Sequence, residues 1–173
     1  MESNDAKKRK IVSSDHLATQ EGWPLSEMEF GLNVIYNAFS KWTVRCASAA
    51  GFTDMNHLDV MVIHHINHRD TPKRRADICF MLNIEDTHTV TYTLKKLVKQ
   101  NLVEGKKRGK EIFYGTTKVG KELCEEYRNV RELCLISSFK SLDKNSEELS
   151  EIAEVLRGLS GIYDQASRAA ASL

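Results

Sequence analysis

Lysine and arginine are the side chains through which a protein grips phosphate, and here they crowd into one stretch. Residues 69–121 hold 13 of them against 6 acids, a net +7. Residues 1–68 carry −2 and residues 122–173 carry −4, so the chain as a whole is only +1. A basic block between acidic flanks is the footprint expected for a polyanion. At its centre stands "GKKRGKEIFYGT", residues 105–116, a basic turn leading into an aromatic strand.

Other chemistries find little support. The chain has no nucleophile elbow, phosphate-cradling glycine loop, dinucleotide fingerprint or paired-carboxylate motif, so neither catalysis nor a cofactor is expected. His64 and His68 in "HHINH" are four apart, a spacing that holds zinc in other settings. No acid lies between them in a catalytic motif and no cysteine is near, so pairing with backbone or carboxylate is the expectation, and no metal. Cys46, Cys79, Cys124 and Cys134 are scattered with no CxxC pair. Buried thiols in a reducing cytoplasm are expected, with a thiol switch through Cys46 or another cysteine as the alternative.

With 41% hydrophobic and 28% charged residues the composition is that of a soluble globular protein. No apolar run approaches the ~20 residues of a membrane span, and the N-terminus lacks the apolar core of a signal peptide. A cytoplasmic protein without a membrane partner is expected.

These basic residues need elements to carry them. Residues 1–25, with "KKRK" at Lys7–Lys10, predict a disordered basic tail. Ser26 and Glu29 offer a capping box for a helix that Gly51 stops. A second helix is expected after Thr53 or Asp54, with Met55, Leu58, Val62 and Ile66 as its stripe. Thr71 and Pro72 then predict the start of a third helix that buries Ile78, Met81 and Leu82. After a turn over Asn83–Glu85, Asp86 caps a fourth helix to about Gln100. Val90, Leu94, Leu97 and Val98 face inward, and Asn101 sits where a left-handed cap is wanted. Two strands flank Lys107-Arg108-Gly109, with Gly109 at the tip. From Thr117 a helix is expected to about Leu142, and Ser146 caps a last one.

Helix, short turn, helix, basic hairpin is the order of a winged helix-turn-helix. Residues 71–121 resemble the MarR family of bacterial transcription regulators through "VTYTLKKLVKQNLV" and the Thr-x-x-Gly of "TTKVGKEL". Asn101 stands where that family has Gly, and "KKRGK" replaces its Asp-x-Arg wing motif. The minor-groove role of a wing arginine is therefore carried over only to Arg108. The resemblance implies a mainly α fold with a small β-hairpin wing, flanked by N- and C-terminal dimerisation helices. Residues 26–52 would be the first of these, 53–121 the DNA-binding domain and 122–173 the C-terminal dimerisation helices.

The expected function is a regulator, a repressor, that reads a palindromic operator in double-stranded DNA as a homodimer and is released by a small-molecule or redox signal. Base and phosphate contacts are expected from His88, Thr89, Thr91, Tyr92, Lys95, Lys96 and Lys99 of the recognition helix. Lys73, Arg74 and Arg75 would meet the backbone from the preceding helix, and Lys107, Arg108 and Lys110 from the wing. Phe30, Val34, Leu149, Ile152, Leu156 and Tyr163 are candidates for the dimer interface. The resemblance also implies a small aromatic effector, for which Tyr36, Phe39 and Trp42 are candidate lining. The competing reading is a winged-helix dimer that no longer binds DNA and serves as a protein-interaction scaffold.

Overall fold

The computed structural model describes residues 22–139 and 146–173. The expectations for the Lys7–Lys10 run and for a helix end near Leu142 lie outside these residues. The chain forms two compact units that divide between Arg131 and Glu132.

In the first unit, helix α1 spans Trp23–Ala49, and Pro24 in its first turn gives up an N–H that had no partner to find. Ser26 thus lies inside the helix and does not cap it. Helix α2, His57–Asn67, begins later than expected, because Asn56 and Asp59 form a reciprocal capping box with both bonds at 2.9 Å.

Thr71 and Pro72 do not start a helix either. The two residues after them, Lys73–Arg74, form strand β1, and helix α3 follows at Arg75–Met81. The later start turns the helix. Ile78 and Cys79 are buried, Leu82 is half-buried, and Met81 points out, against the expected inward set.

Helix α4, Thr87–Lys99, is capped by Asp86, whose carboxylate accepts from the His88 N–H at 2.9 Å. It buries Val90, Thr93, Leu94 and Leu97; Val98, expected inside, is 42% exposed.

Three of these helices end alike. Gly51, Asn83 and Asn101 take φ of 98°, 51° and 58°. The N–H beyond each reaches back five residues: Phe52 to Ala47, Ile84 to Cys79, Leu102 to Leu97, all within 3.0 Å. This satisfies carbonyls the helix would otherwise leave bare, and Asn tolerates the left-handed turn nearly as Gly does.

Strands β2, Val103–Arg108, and β3, Glu111–Thr116, pair from Val103 with Thr116 to Arg108 with Glu111. The loop is therefore Gly109-Lys110, with Gly109 at φ 62°, and Lys107 and Arg108 are strand residues rather than tip. Strand β1 pairs antiparallel with β3, so the sheet has three strands in the order β1-β3-β2. Helix α5, Lys118–Arg131, is capped by the Thr117 hydroxyl at the Gly120 N–H, 3.1 Å. One core joins α2, α3, α4, Leu102 and Val103, α5 through Leu123, Cys124 and Tyr127, and the C-terminal half of α1 through Cys46 and Ala47.

The second unit opens on a wide π turn, Glu132–Ile136, so α5 does not run on unbroken. Helix α6, Ser137–Phe139, and helix α7, Ser146–Ala170, follow.

Candidate nucleic-acid interface

Four residues of α4 fall at i, i+4, i+7 and i+11 from His88: His88, Tyr92, Lys95 and Lys99. All are exposed, Tyr92 at 70%. The opposite side of the helix is the buried stripe, so the core itself forces this row outward. The first turn is stiffened by Asp86, which also accepts from the Thr89 hydroxyl at 2.7 Å. Those bonds, the Thr89 one first, hold the Asp86 carboxyl below its usual range.

Other expected contacts prove to be engaged within the protein. Thr91 donates to the Thr87 carbonyl at 2.8 Å and accepts from an Arg75 guanidinium N–H at 3.1 Å. Lys73 donates to the carbonyls of His68 and Thr71, at 3.1 and 2.7 Å, stapling its own loop. Arg74 pairs with Asp77 at 2.8 Å and with Glu111 of the wing at 3.3 Å. Asp77's hydrogen bond, then Glu111's, push the guanidinium above its usual range. Arg74 thus ties α3 to the sheet.

Lys96 departs furthest from its expected role. Its ammonium lies 2.8 Å from Asp59, whose side chain is 0% exposed, and 3.3 Å from Asp54. Burial pulls this lysine's pKa down, but bonds and charges from Asp59 and Asp54 outweigh it and leave it raised. Lys96 faces α2, not solvent.

In the wing, the Arg108 guanidinium stacks over the Phe113 ring at 5.1 Å from its centroid. Lys107 and Lys110 are exposed beside it, while Lys106 pairs with Glu104 at 2.7 Å. Phe113, Glu104, Glu111 and Asp59 all went unnoticed as site residues in the sequence. The hairpin pairing could have hinted at Phe113 and the i, i+2 spacing at Glu104; Glu111 and Asp59 are non-local partners of Arg74 and Lys96.

Three further expectations meet the structure here. His64 packs edge-on against Tyr127 at 4.4 Å, with burial lowering its pKa, and His68 is exposed at the end of α2. No group of three potential metal ligands occurs among the described residues. Of the aromatic trio, Trp42 packs on the core, and Tyr36 meets the His57 ring at 5.7 Å. Phe39 alone lines a cleft of about 610 Å³, with Met61, His64, Tyr127, Arg128 and Arg131. The thiols of Cys46, Cys79 and Cys124 are buried, Cys46 donating to the Tyr127 carbonyl at 3.5 Å, and burial pushes Cys124 up to about 11. Cys134 is exposed.

Comparison with known proteins agrees with this geometry. A family model described as "Winged helix DNA-binding domain" matches residues 55–120. No curated protein matches the chain in sequence. Solved structures do in fold. AbfR of Staphylococcus epidermidis is 17% identical with a TM-score of 0.67, over 84% of this chain and 96% of that one. Staphylococcus aureus MarR, solved with salicylate and kanamycin, has the same identity and coverage and a TM-score of 0.66. Streptococcus pneumoniae FabT, solved with DNA, is 15% identical with a TM-score of 0.61, over 80% of this chain and 96% of that one. No described helix is long and apolar enough to cross a membrane. The chain thus has the winged helix fold of these structures, and residues 55–120 are the part that matches the winged helix DNA-binding domain model.

Proposed function

We propose that the protein is a cytoplasmic transcription regulator, a repressor, that binds a palindromic operator as a homodimer. The observation that carries this reading is the exposed row His88, Tyr92, Lys95 and Lys99 on α4, beside a wing that presents Lys107, Arg108 and Lys110. A helix of this kind reads base edges near its N-terminus and phosphates further along. With no Arg, Asn or Gln in its first turns, direct readout rests on Tyr92 and His88, and groove shape supplies the rest.

A single winged helix spans few base pairs, so a second copy supplies the other half-site. Leu25, Leu32, Ile35 and Tyr36 leave an exposed apolar stripe on α1; Leu149, Ile152, Val155 and Leu156 leave one on α7. Stripes of this size are what a partner copy covers.

For the signal, the cleft beside Phe39 is better suited than the expected trio. Its ring edges accept an aromatic body, and Arg128 and Arg131 accept an anionic group. A small aromatic acid is the effector class this lining fits. The buried thiols favour such a ligand over a redox signal through Cys46.

The test is binding to a labelled random-sequence duplex as salt is raised from about 50 to 200 mM. Neutralising about 6–8 phosphates per dimer gives a steep fall in affinity with salt. No binding at low salt by a folded dimer would favour the interaction scaffold.

A further inference from the structure

The Lys96–Asp59 pair joins the recognition helix to the first turn of α2. Asp59 closes the α2 capping box with the same Oδ2 that accepts from Lys96. Its other oxygen is buried without a hydrogen-bond partner. A half-satisfied buried pair adds little to stability compared with apolar side chains of the same size. What it does supply is direction, since only one register of α4 on α2 brings the ammonium to the carboxylate.

Other contacts act on the same helix. Gln100 donates to the Asp54 carbonyl at 3.0 Å and Lys96 also reaches the Asp54 carboxylate, so the C-terminal end of α4 is tied to both sides of the α2 start. Arg75 holds the other end through Thr91. Of the exposed row, Tyr92, Lys95 and Lys99 lie between these ties, and His88 lies three residues before Thr91.

We propose that Lys96 is a positioning residue for DNA recognition: through Asp59 it sets the angle at which α4 presents Tyr92 and His88, and it touches no phosphate. This rests on the DNA-binding reading above and goes beyond it, because it assigns a lysine of the recognition helix to specificity instead of to electrostatic affinity.

The test compares Lys96→Met, Asp59→Asn/Lys96→Met and Lys99→Met with the wild-type protein. The double variant removes both charges and keeps the capping acceptor, so it remains informative if Lys96→Met fails to fold. Duplexes are first enriched from a random pool with the wild-type protein. Affinities for the enriched duplex and for an unrelated duplex of equal length are then measured across a salt series.

The double variant is expected to lose about tenfold on the enriched duplex, the scale of one misaligned base contact, and nothing on the unrelated one. Its salt slope stays that of the wild type. Lys99→Met is expected to weaken both duplexes and to reduce the slope by about two, one phosphate contact from each protomer of the dimer. If the double variant instead behaves like Lys99→Met, Lys96 is a phosphate ligand and the proposal falls. It falls equally if the double variant matches the wild type on both duplexes.

Failure of the wild-type protein to enrich any duplex would overturn the DNA-binding reading itself. Amide exchange over residues 87–100 then decides the positioning claim. Faster exchange there in the double variant, with the hairpin unchanged, supports it, and unchanged exchange refutes it.

Discussion

Gly120 lies so close to Leu102 that a Cβ at position 120 would come within 2.0 Å of the Leu102 carbonyl oxygen. This is where α5 crosses the junction between the recognition helix and the wing. Thr117 fixes the crossing from its own side, since its hydroxyl donates to the Asn101 carbonyl at 2.6 Å and its N–H to Leu102 at 3.1 Å. The Thr-x-x-Gly spacing of the sequence is thus a packing requirement: one residue to cap α5, one to let backbone meet backbone.

Gly120→Ala is therefore expected to destabilise the winged helix by about 3 kcal/mol or more, the upper range for inserting a methyl into a filled site. Denaturant unfolding measures it. A midpoint equal to the wild type would show that the crossing can relax.

Thiol accessibility gives a second check. Three of the four cysteines are buried and Cys134 is exposed. Titration with a coloured thiol reagent should label one equivalent per native chain and four after denaturation. Cys134→Ser should abolish the native signal. Rapid native labelling of that variant would revive the thiol switch at Cys46.

Acid sensitivity follows from His64. Burial lowers its pKa in the folded state below the ordinary value of 6.5. The unfolded chain thus takes up the proton first, so this group leaves stability untouched above about pH 6.5 and erodes it as pH falls through and below that value. His64→Phe keeps an aromatic ring against Tyr127 and removes the proton site. Its unfolding midpoint should fall less between pH 7.5 and pH 5.5 than that of the wild type, the pH window lying about 1 unit either side of the imidazole value. Parallel curves would mean that His64 does not carry the effect.

Much of this architecture is legible residue by residue. Gly51, Asn101 and Asp86 announce their helix ends locally, through left-handed φ or a carboxylate cap, and they stand where expected. What escapes the sequence is set by partners far along the chain. Thr71-Pro72 is a sound helix start by local rules, yet Lys73 and Arg74 pair with Tyr114 and Phe113 in a strand too short to show any period. The same holds in the site. Lys96 and Val98 sit on opposite edges of the buried stripe of α4, and helical periodicity cannot say which edge α2 covers. Asp59, 37 residues earlier, decides it. The outward row from His88 to Lys99 needed no such partner, being simply what the apolar stripe leaves over.

The central claim is that α4 and the wing read DNA, and selection of duplexes from a random pool tests it most directly. With the wild-type protein the account predicts an enriched palindrome whose half-sites lie about one helical turn apart. Tyr92→Ala should change the enriched sequence, and Arg108→Ala should weaken binding to it. A folded dimer that enriches nothing at low salt would contradict the account.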